Sequence, residues 1–341
     1  MSNQCFDDLP DELVHLVARH LRSSKRNDAL LCFALVNRRT SIFAKEVLLK
    51  EPRFNICYLG SYLHELFRAP QIRRQVVELE MYDTRAYGEL LKYSSHDLYP
   101  RHRWGDPGTL NNNPKFAAFV REVVDKFALT EGHKAEWLHA LDNDVLPACL
   151  GVLVCVLPKL KVLDLLETYL VTQPMFSNIL ATDVVRAGYS PEAWRQPYLA
   201  GAMKVLQQRL QVLLMPSEMV SVDWDAMFHH SAFDYQGFQR LTELSIPMES
   251  LENCTDGSDY LPKSLEVLRV VEANHDIICY IVDVWASKTN GTLPNLRRLE
   301  LYFRVSEREE IREQMLQEPS EAREIWEMSR LCGLEVHMAF S

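Results

Sequence analysis

Apolar positions in the first part of the chain follow a helical period. In "LPDELVHLVARHL" (9–21), apolar residues and one histidine recur at steps of three and four, which places them on one face of a helix. These are Leu13, Leu16, Val17, His20 and Leu21. Acidic residues open the stretch and arginines close it, as the helix dipole favours. The pattern predicts a short amphipathic helix.

Two further helices are predicted before Pro52. The run "ALLCFALV" (29–36) is apolar on every side, so a helix formed by it must be covered on all sides. The stretch "NRRTSIFAKEVLL" (37–49) predicts a third helix that ends before Pro52 and turns Ile42, Phe43, Val47 and Leu48 inward. So small a unit buries little by itself. Either the residues from 53 onward cover the middle helix, or a separate protein does.

The three predicted helices carry a family resemblance. Roughly residues 5–50 resemble an F-box. The resemblance lies in the initial Leu-Pro, the acidic residues that follow it, the spacing of Leu and Val, and the "LVNRR" segment that leads into the third helix. Many F-boxes place an aromatic residue where this chain has Thr40. The resemblance implies docking on the Skp-type linker subunit of a cullin-based ubiquitin ligase. The residues that it implies for this contact are Leu9, Pro10, Leu13, Leu16, Val17, Leu30, Leu31, Leu35 and Val36.

A different pattern, L-x-x-L-x-L with variants, recurs from about residue 70. It occurs at 76–81, 160–165, 210–215, 241–246, 265–270 and 296–301, and more weakly at 119–124 and 334–338. Alternate residues of each segment have the phase of a half-buried strand. Helical stretches lie between several of these segments, at 143–157, 190–208, 274–288 and from Ser306 onward.

Strand then helix, repeated, resembles an irregular leucine-rich-repeat solenoid. The fold class predicted is mixed α/β, with a small three-helix F-box over residues 1–52 and an irregular leucine-rich-repeat-like solenoid over residues 53–341. An ordinary α/β sandwich, with helices packed on a sheet, is the alternative. F-box proteins of fungal type are similar in combining these two regions.

Residues between the buried leucines are predicted to line one face of the stacked strands. The candidates for contact with a protein target are Glu80, Tyr82, Asp164, Arg269, Arg298, Glu300 and Tyr302. A solvated face without a partner is the alternative. Arg297 and Arg298 beside Lys263 and Arg269 are a candidate site for a phosphorylated target. Two insertions interrupt the pattern, a predicted loop at 93–114 and an aromatic-rich segment at 222–238.

Charge and cysteine usage narrow the class of partner. The net charge of −10 argues against nucleic acid and anionic membranes as general partners. Eight cysteines without a C-x-x-C pair indicate neither zinc nor a disulfide framework, as in a reducing compartment. The most apolar run, 148–157, is far shorter than the roughly 20 residues of a membrane span. We expect a cytoplasmic or nuclear protein, or one found in both compartments.

The sequence contains no motif that indicates catalysis. Nucleophile-elbow, zinc-protease, P-loop and dinucleotide fingerprints do not occur in it. We therefore expect no enzyme activity, no cofactor and no metal site. The function predicted is that of an adaptor that recruits a protein target to a Skp-cullin-F-box ubiquitin ligase. Two alternatives are an F-box scaffold that works without cullin, and a small-molecule hydrolase or transferase on an α/β scaffold.

Overall fold

The computed structural model combines helices with parallel strands, so the chain has a mixed α/β fold. It describes residues 9–22, 27–82, 113–142, 145–167, 197–215, 235–248, 260–274, 277–303, 305, 308 and 327–340. All but Asn113 and Pro114 of the loop predicted at 93–114 lies outside these residues, as does most of the aromatic-rich segment at 222–238. Pro114 begins a helix, so the predicted loop ends one residue too late. Of the second segment, Tyr235 and Phe238 are described, and both are fully buried.

Three helices open the chain, as predicted. They are α1 (Asp11–Arg22), α2 (Asn27–Ala34) and α3 (Arg38–Lys50). A capping box starts α3: the Asn37 side chain accepts a hydrogen bond from the Thr40 amide at 2.8 Å, and the Asn37 amide donates to Thr40 Oγ1 at 3.1 Å. Thr40 is also fully buried. The cap and the tight packing explain why a small hydroxyl residue stands at this position.

The three helices share a small hydrophobic cluster of their own. Its buried members are Val14, Ala18, Leu30, Phe33, Ala44 and Val47. The inward face predicted for α3 is wrong at Ile42, which is mostly exposed, whereas the small residue Ala44 faces inward. A small side chain at that position lets the helices approach closely. The apolar helix α2 is covered on one side only, because Leu31 and Leu35 remain exposed.

Eight strands form one sheet in which every neighbouring pair is parallel and the order along the sheet follows the chain. The strands are β1 (Arg53–Asn55), β2 (Glu78–Tyr82), β3 (Val162–Glu167), β4 (Val212–Leu214), β5 (Glu243–Pro247), β6 (Val267–Ala273), β7 (Arg298–Phe303) and β8 (Glu335–Phe340). The recurring pattern predicted β2 to β8. Each of these strands begins one or two residues after the first apolar residue of its pattern, and that residue is itself buried.

Helices cover one face of this sheet. After α3 they are α4 (Leu59–Arg68), α5 (Pro70–Arg73), α6 (Pro114–Phe127), α7 (Glu131–Asp142), α8 (Leu146–Val156), α9 (Ala200–Arg209) and α10 (Ile277–Thr289). Residues 327–332 are also helical. The strand predicted at 119–124 is wrong, because these residues lie within α6, where Val120, Val123 and Val124 are buried at helical spacing. The apolar residues of this segment fit the three- and four-residue spacing of a helix as well as the alternation of a strand, and the helix forms.

One hydrophobic cluster joins the helices to the sheet. The alternate apolar residues of the strands, such as Leu163, Leu244 and Leu268, are fully buried in the same cluster as Trp137 of α7 and Leu153 of α8. Close packing of helices contributes too. A Cβ atom added to Gly201 at the start of α9 would lie 1.8 Å from the Phe127 carbonyl oxygen, so only glycine fits there.

The three-helix unit contacts the larger region through side chains. The hydroxyl of Tyr62 in α4 donates to the Leu49 carbonyl at 2.9 Å, and burial raises the pKa of this phenol above its ordinary value. Lys45 Nζ lies 2.5 Å from Glu65 Oε2. Leu49 itself belongs to the larger cluster, so the boundary between the two hydrophobic clusters falls between Val47 and Leu49.

No single helix in the described part of the chain is both long enough and apolar enough to cross a membrane. Two consecutive helices, Glu131–Asp142 and Pro147–Val156, reach the required length and composition only together, across a bend of 112°.

Candidate interaction surfaces

Helices α1 and α2 and the two residues after α2 expose large apolar side chains that the small cluster leaves uncovered. Exposed fractions are 46% for Leu13, 60% for Leu16, 49% for Leu31, 86% for Leu35 and 61% for Val36. The residues buried in α1 are Val14 and Ala18. The face of α1 that the sequence predicts to be apolar therefore points largely away from the other two helices. We call these five residues the apolar surface of the three-helix unit.

Leu9 and Pro10 precede α1 and are held by Arg39 of α3. The Arg39 side chain donates from Nη2 to the Leu9 carbonyl oxygen and from Nε to Asp11 Oδ1 at 2.7 Å. The Pro10 carbonyl accepts hydrogen bonds from the amides of the first turn of α1, at 3.1 and 3.2 Å. Pro10 is exposed, and Leu9 packs at the edge of the small cluster.

One residue predicted to contact the linker subunit is not available for contact. Leu30 is fully buried among the three helices. The prediction placed it on the partner side because every position from 29 to 36 is apolar, so sequence alone cannot distinguish the inner side from the outer side. Val17 is half-buried and packs against the small cluster. Leu30 therefore packs inside the three-helix unit, and the exposed apolar surface consists of its neighbours.

The seven residues predicted to contact a target lie on one side of the sheet. Along β2, Glu80 and Tyr82 alternate with the buried Leu79 and Met81, and the same alternation holds in β3, β6 and β7. The register places Glu80 beside Asp164 and Arg269 beside Glu300. We call the side that carries these seven residues the second face of the sheet.

Charged side chains link β5 to β8 across this second face. Arg269 Nη1 pairs with Glu243 Oε1, and Arg269 Nε lies 2.5 Å from Glu300 Oε2. The Tyr302 hydroxyl donates to the same Glu300 oxygen at 3.2 Å. Burial alone would raise the pKa of Glu300, but the hydrogen bond and charge of Arg269 lower it overall. Arg269 is thus held between two carboxylates.

The remaining arginines of the predicted phosphate site also have acidic partners. Arg298 Nε donates to Glu335 Oε2 at 3.1 Å, and Arg297 Nη2 lies 2.5 Å from Glu266 Oε2. A phosphate group at these arginines would have to replace a carboxylate that is already bound. Their pairing therefore weakens the idea of a phosphorylated target at this place.

The opposite end of the second face is tied to the three-helix unit. Arg53 of β1 donates to Glu80 Oε1 at 2.9 Å, and its guanidinium lies 6.0 Å from the centre of the Tyr82 ring. Arg22 at the end of α1 approaches Glu80 Oε2 to 4.0 Å and donates to the Glu51 carbonyl at 2.9 Å. Glu80 thus lies at the junction of the two regions.

Sequence reasoning missed several members of these arrangements. Neither Arg39 nor Arg53 is among the predicted site residues, and β1 lacks the leucine pattern that marks the other strands. His337 of β8 lies 2.9 Å from Glu335 Oε1 and extends the charged row to the last strand. The weak pattern at 334–338 was the available signal for that strand.

Two observations on the described residues concern possible chemistry. Within the part of the chain that the structure describes, no group of three or more His, Cys, Asp or Glu side chains could hold a metal ion. Burial raises the pKa of the Cys155 thiol to about 12, which makes it a poor nucleophile at neutral pH.

Comparisons of the chain with protein-family models, curated proteins and solved structures found no match.

Proposed function

We propose that the chain is a substrate-recruiting adaptor of a Skp-cullin-F-box ubiquitin ligase. The observation that carries the proposal is the apolar surface of the three-helix unit. Besides Ile42 of α3, the five large apolar side chains of this surface stay exposed on a unit whose own buried cluster contains six residues. Exposed apolar residues grouped in this way are typical of a protein interface. Together with the F-box pattern of residues 5–50, they favour docking on a Skp-type linker.

The larger region, in this proposal, is a leucine-rich-repeat-like solenoid that holds the target. Strands that follow chain order in one parallel sheet, with the leucine side packed against helices, are typical of stacked repeats. Among the residues whose side chains the structure describes, the second face carries six carboxylates and three arginines. The carboxylates are those of Glu78, Glu80, Asp164, Glu243, Glu300 and Glu335, and the arginines are Arg53, Arg269 and Arg298. A target segment with a positive net charge would match it.

The adaptor itself performs no chemistry in this proposal. It holds a target lysine near the ubiquitin-loaded enzyme of the assembled ligase and so raises the local concentration of that lysine. Binding of the linker and binding of the target are then separable, because they use different regions of the chain.

The proposal is tested by binding of the full chain to a purified Skp-type linker subunit. The variant is Leu16→Ser/Leu35→Ser, which removes two exposed apolar side chains and leaves the small cluster intact. Leu129→Ser/Leu331→Ser is the matched control, because these leucines are 53% and 74% exposed in the larger region. Loss of two interface leucines should weaken binding by about a hundredfold or more, as expected for central apolar contacts.

Either equal binding by both variants or no binding by the unchanged chain would refute linker docking through this surface. A second measurement adds a cullin to the complex. Joint elution of chain, linker and cullin supports the ubiquitin-ligase adaptor. A stable pair of chain and linker that excludes cullin would instead establish the scaffold alternative.

A further inference from the structure

We infer that Arg39 is a positioning residue that presents the Leu9–Pro10 segment to the linker subunit. The inference rests on the proposed function, since it assigns a role within the same docking surface. It starts from one contact pattern: a single guanidinium of α3 reaches across to the segment before α1 and binds both a main-chain carbonyl, that of Leu9, and the Asp11 carboxylate.

Arg39 links the start of α3 to the segment before α1. Twenty-eight residues separate Asp11 from Arg39. The capping box of Asn37 and Thr40 sets the first turn of α3, and Arg39 lies within that turn. Its position is therefore defined by buried structure, because Thr40 beside it is fully buried. A planar guanidinium with several fixed donors suits simultaneous binding of a carbonyl and a carboxylate, whereas a lysine ammonium is a single point charge.

Besides Arg39, two contacts restrain the segment: Leu9 packs at the edge of the small cluster, and the Pro10 carbonyl accepts hydrogen bonds from the first turn of α1. The side chains of Pro10 and Asp11 are exposed. Leu9 and Pro10 come directly before the first turn of α1, and helix ends commonly fray. Binding of the Leu9 carbonyl thus fixes the segment before the partner arrives, so less conformational entropy is lost on docking. Removal of Arg39 should weaken docking without removing any side chain from the apolar surface.

The first experiment measures hydrogen exchange in the full chain without a partner. The amides of Leu13 and Val14 bond to the Pro10 carbonyl and report the first turn of α1. Arg39→Ala should accelerate exchange at these two amides, whereas the neighbouring, exposed Arg38→Ala should not. Unchanged exchange in Arg39→Ala would overturn the inference, whether or not the chain binds a linker.

The second experiment measures affinity for the purified linker subunit. Arg39→Ala should bind about tenfold more weakly, which corresponds to about 1.4 kcal/mol, with an unchanged melting temperature of the larger region. Arg38→Ala should bind like the unchanged chain. Arg39→Lys should recover part of the affinity, because it keeps the charge opposite Asp11 but loses the second donor group.

A double-mutant cycle distinguishes positioning from general stabilisation. If Arg39 acts through the Leu9–Pro10 segment, Arg39→Ala should have little further effect in a Leu9→Ala/Pro10→Ala background. Full additivity of the two changes would overturn the inference. If Arg39→Ala unfolds the three-helix unit, the same cycle is performed with Arg39→Lys. Absence of any binding by the unchanged chain would refute the proposed function, and the exchange experiment would still decide the role of Arg39.

Discussion

The two regions of the molecule use apolar residues in different ways. The three-helix unit buries six hydrophobic residues in its own cluster and leaves five large ones exposed on α1, on α2 and directly after α2. The larger region buries strand leucines such as Leu163, Leu244 and Leu268 and places charged and aromatic side chains on the second face of its sheet. Apolar side chains are therefore grouped at the surface of the smaller region, whereas those of the strands pack in the core of the larger one.

Under the proposed function, this difference favours partners of different chemistry for the two regions. An apolar surface binds by removing apolar area from water, and its strength depends little on salt. A charged face, in contrast, contributes to the selection of partners and to the rate of encounter more than to affinity. Substitutions in the two regions, each compared with a matched control, should therefore differ in their effects.

The largest effect is expected in the centre of the sheet. Leu268→Ala should lower the free energy of unfolding by about 4 kcal/mol, in the upper part of the range for buried leucines. Leu268 is fully buried between Leu244 and Leu299 on the neighbouring strands, and a sheet held by both neighbours collapses little around a cavity. Urea unfolding followed by circular dichroism measures the change.

The control for this prediction is the preceding residue. Val267→Ala lies on the second face and is half-buried, so its cost should be below about 1.5 kcal/mol. Equal costs for the two substitutions would contradict the alternation of core and second face along β6.

A smaller effect is expected in the three-helix unit. Leu30→Ala should cost about 2 to 3 kcal/mol, because Leu30 is fully buried but lies in a small unit that can close partly around the cavity. The loss should be local. Hydrogen exchange should rise in α1 to α3 and stay unchanged in β3 to β7, since the two hydrophobic clusters are separate.

Leu31→Ala provides the matched comparison, since the adjacent leucine is half-exposed. Its effect on stability should remain within about 0.5 kcal/mol. A larger loss for Leu31→Ala than for Leu30→Ala would reverse the assignment of inner and outer sides of α2.

The sequence predicts the larger region better than the details of the smaller one. The L-x-x-L-x-L pattern located β2 to β8, because one face of each strand must be buried and the period of two records it. β1 was missed since "RFN" is too short to show a period, and α6 was assigned to a strand at 119–124. After Asp28 every position of α2 is apolar, so the sequence carries no signal of which side is covered.

For the candidate surfaces too, local patterns in the sequence predict more than long-range contacts do. Alternation within a strand placed Arg269 and Glu300 on one face correctly, but which charged groups pair depends on the register between strands that are far apart in sequence. The contact of Arg39 with the Leu9 carbonyl is likewise long-range and involves the main chain, which no side-chain pattern reports.

The smallest effect is expected for the charged row of the second face. Arg269→Met should lower the free energy of unfolding by about 1 to 2 kcal/mol, because it leaves the mostly buried Glu300 carboxylate with only Tyr302 and Arg298 as partners. Arg297→Met is the control. Its pair with Glu266 is largely exposed, and its cost should be below about 0.5 kcal/mol.

The pH dependence of the Arg269 effect tests its cause. Arg269 lowers the pKa of Glu300 in the folded chain, so the stabilisation is present above the ordinary pKa of a glutamate, about 4.3, and is lost as the pH falls through the lower, folded value. The stability difference between the unchanged chain and Arg269→Met should therefore be constant from about pH 5 to about pH 7. It should shrink as the solution is acidified toward about pH 3. Urea unfolding at each pH gives the difference. If it stayed constant under acid conditions, the packing of the Arg269 side chain would be the source of the effect, and the second face would gain its stability from apolar contacts as the three-helix unit does.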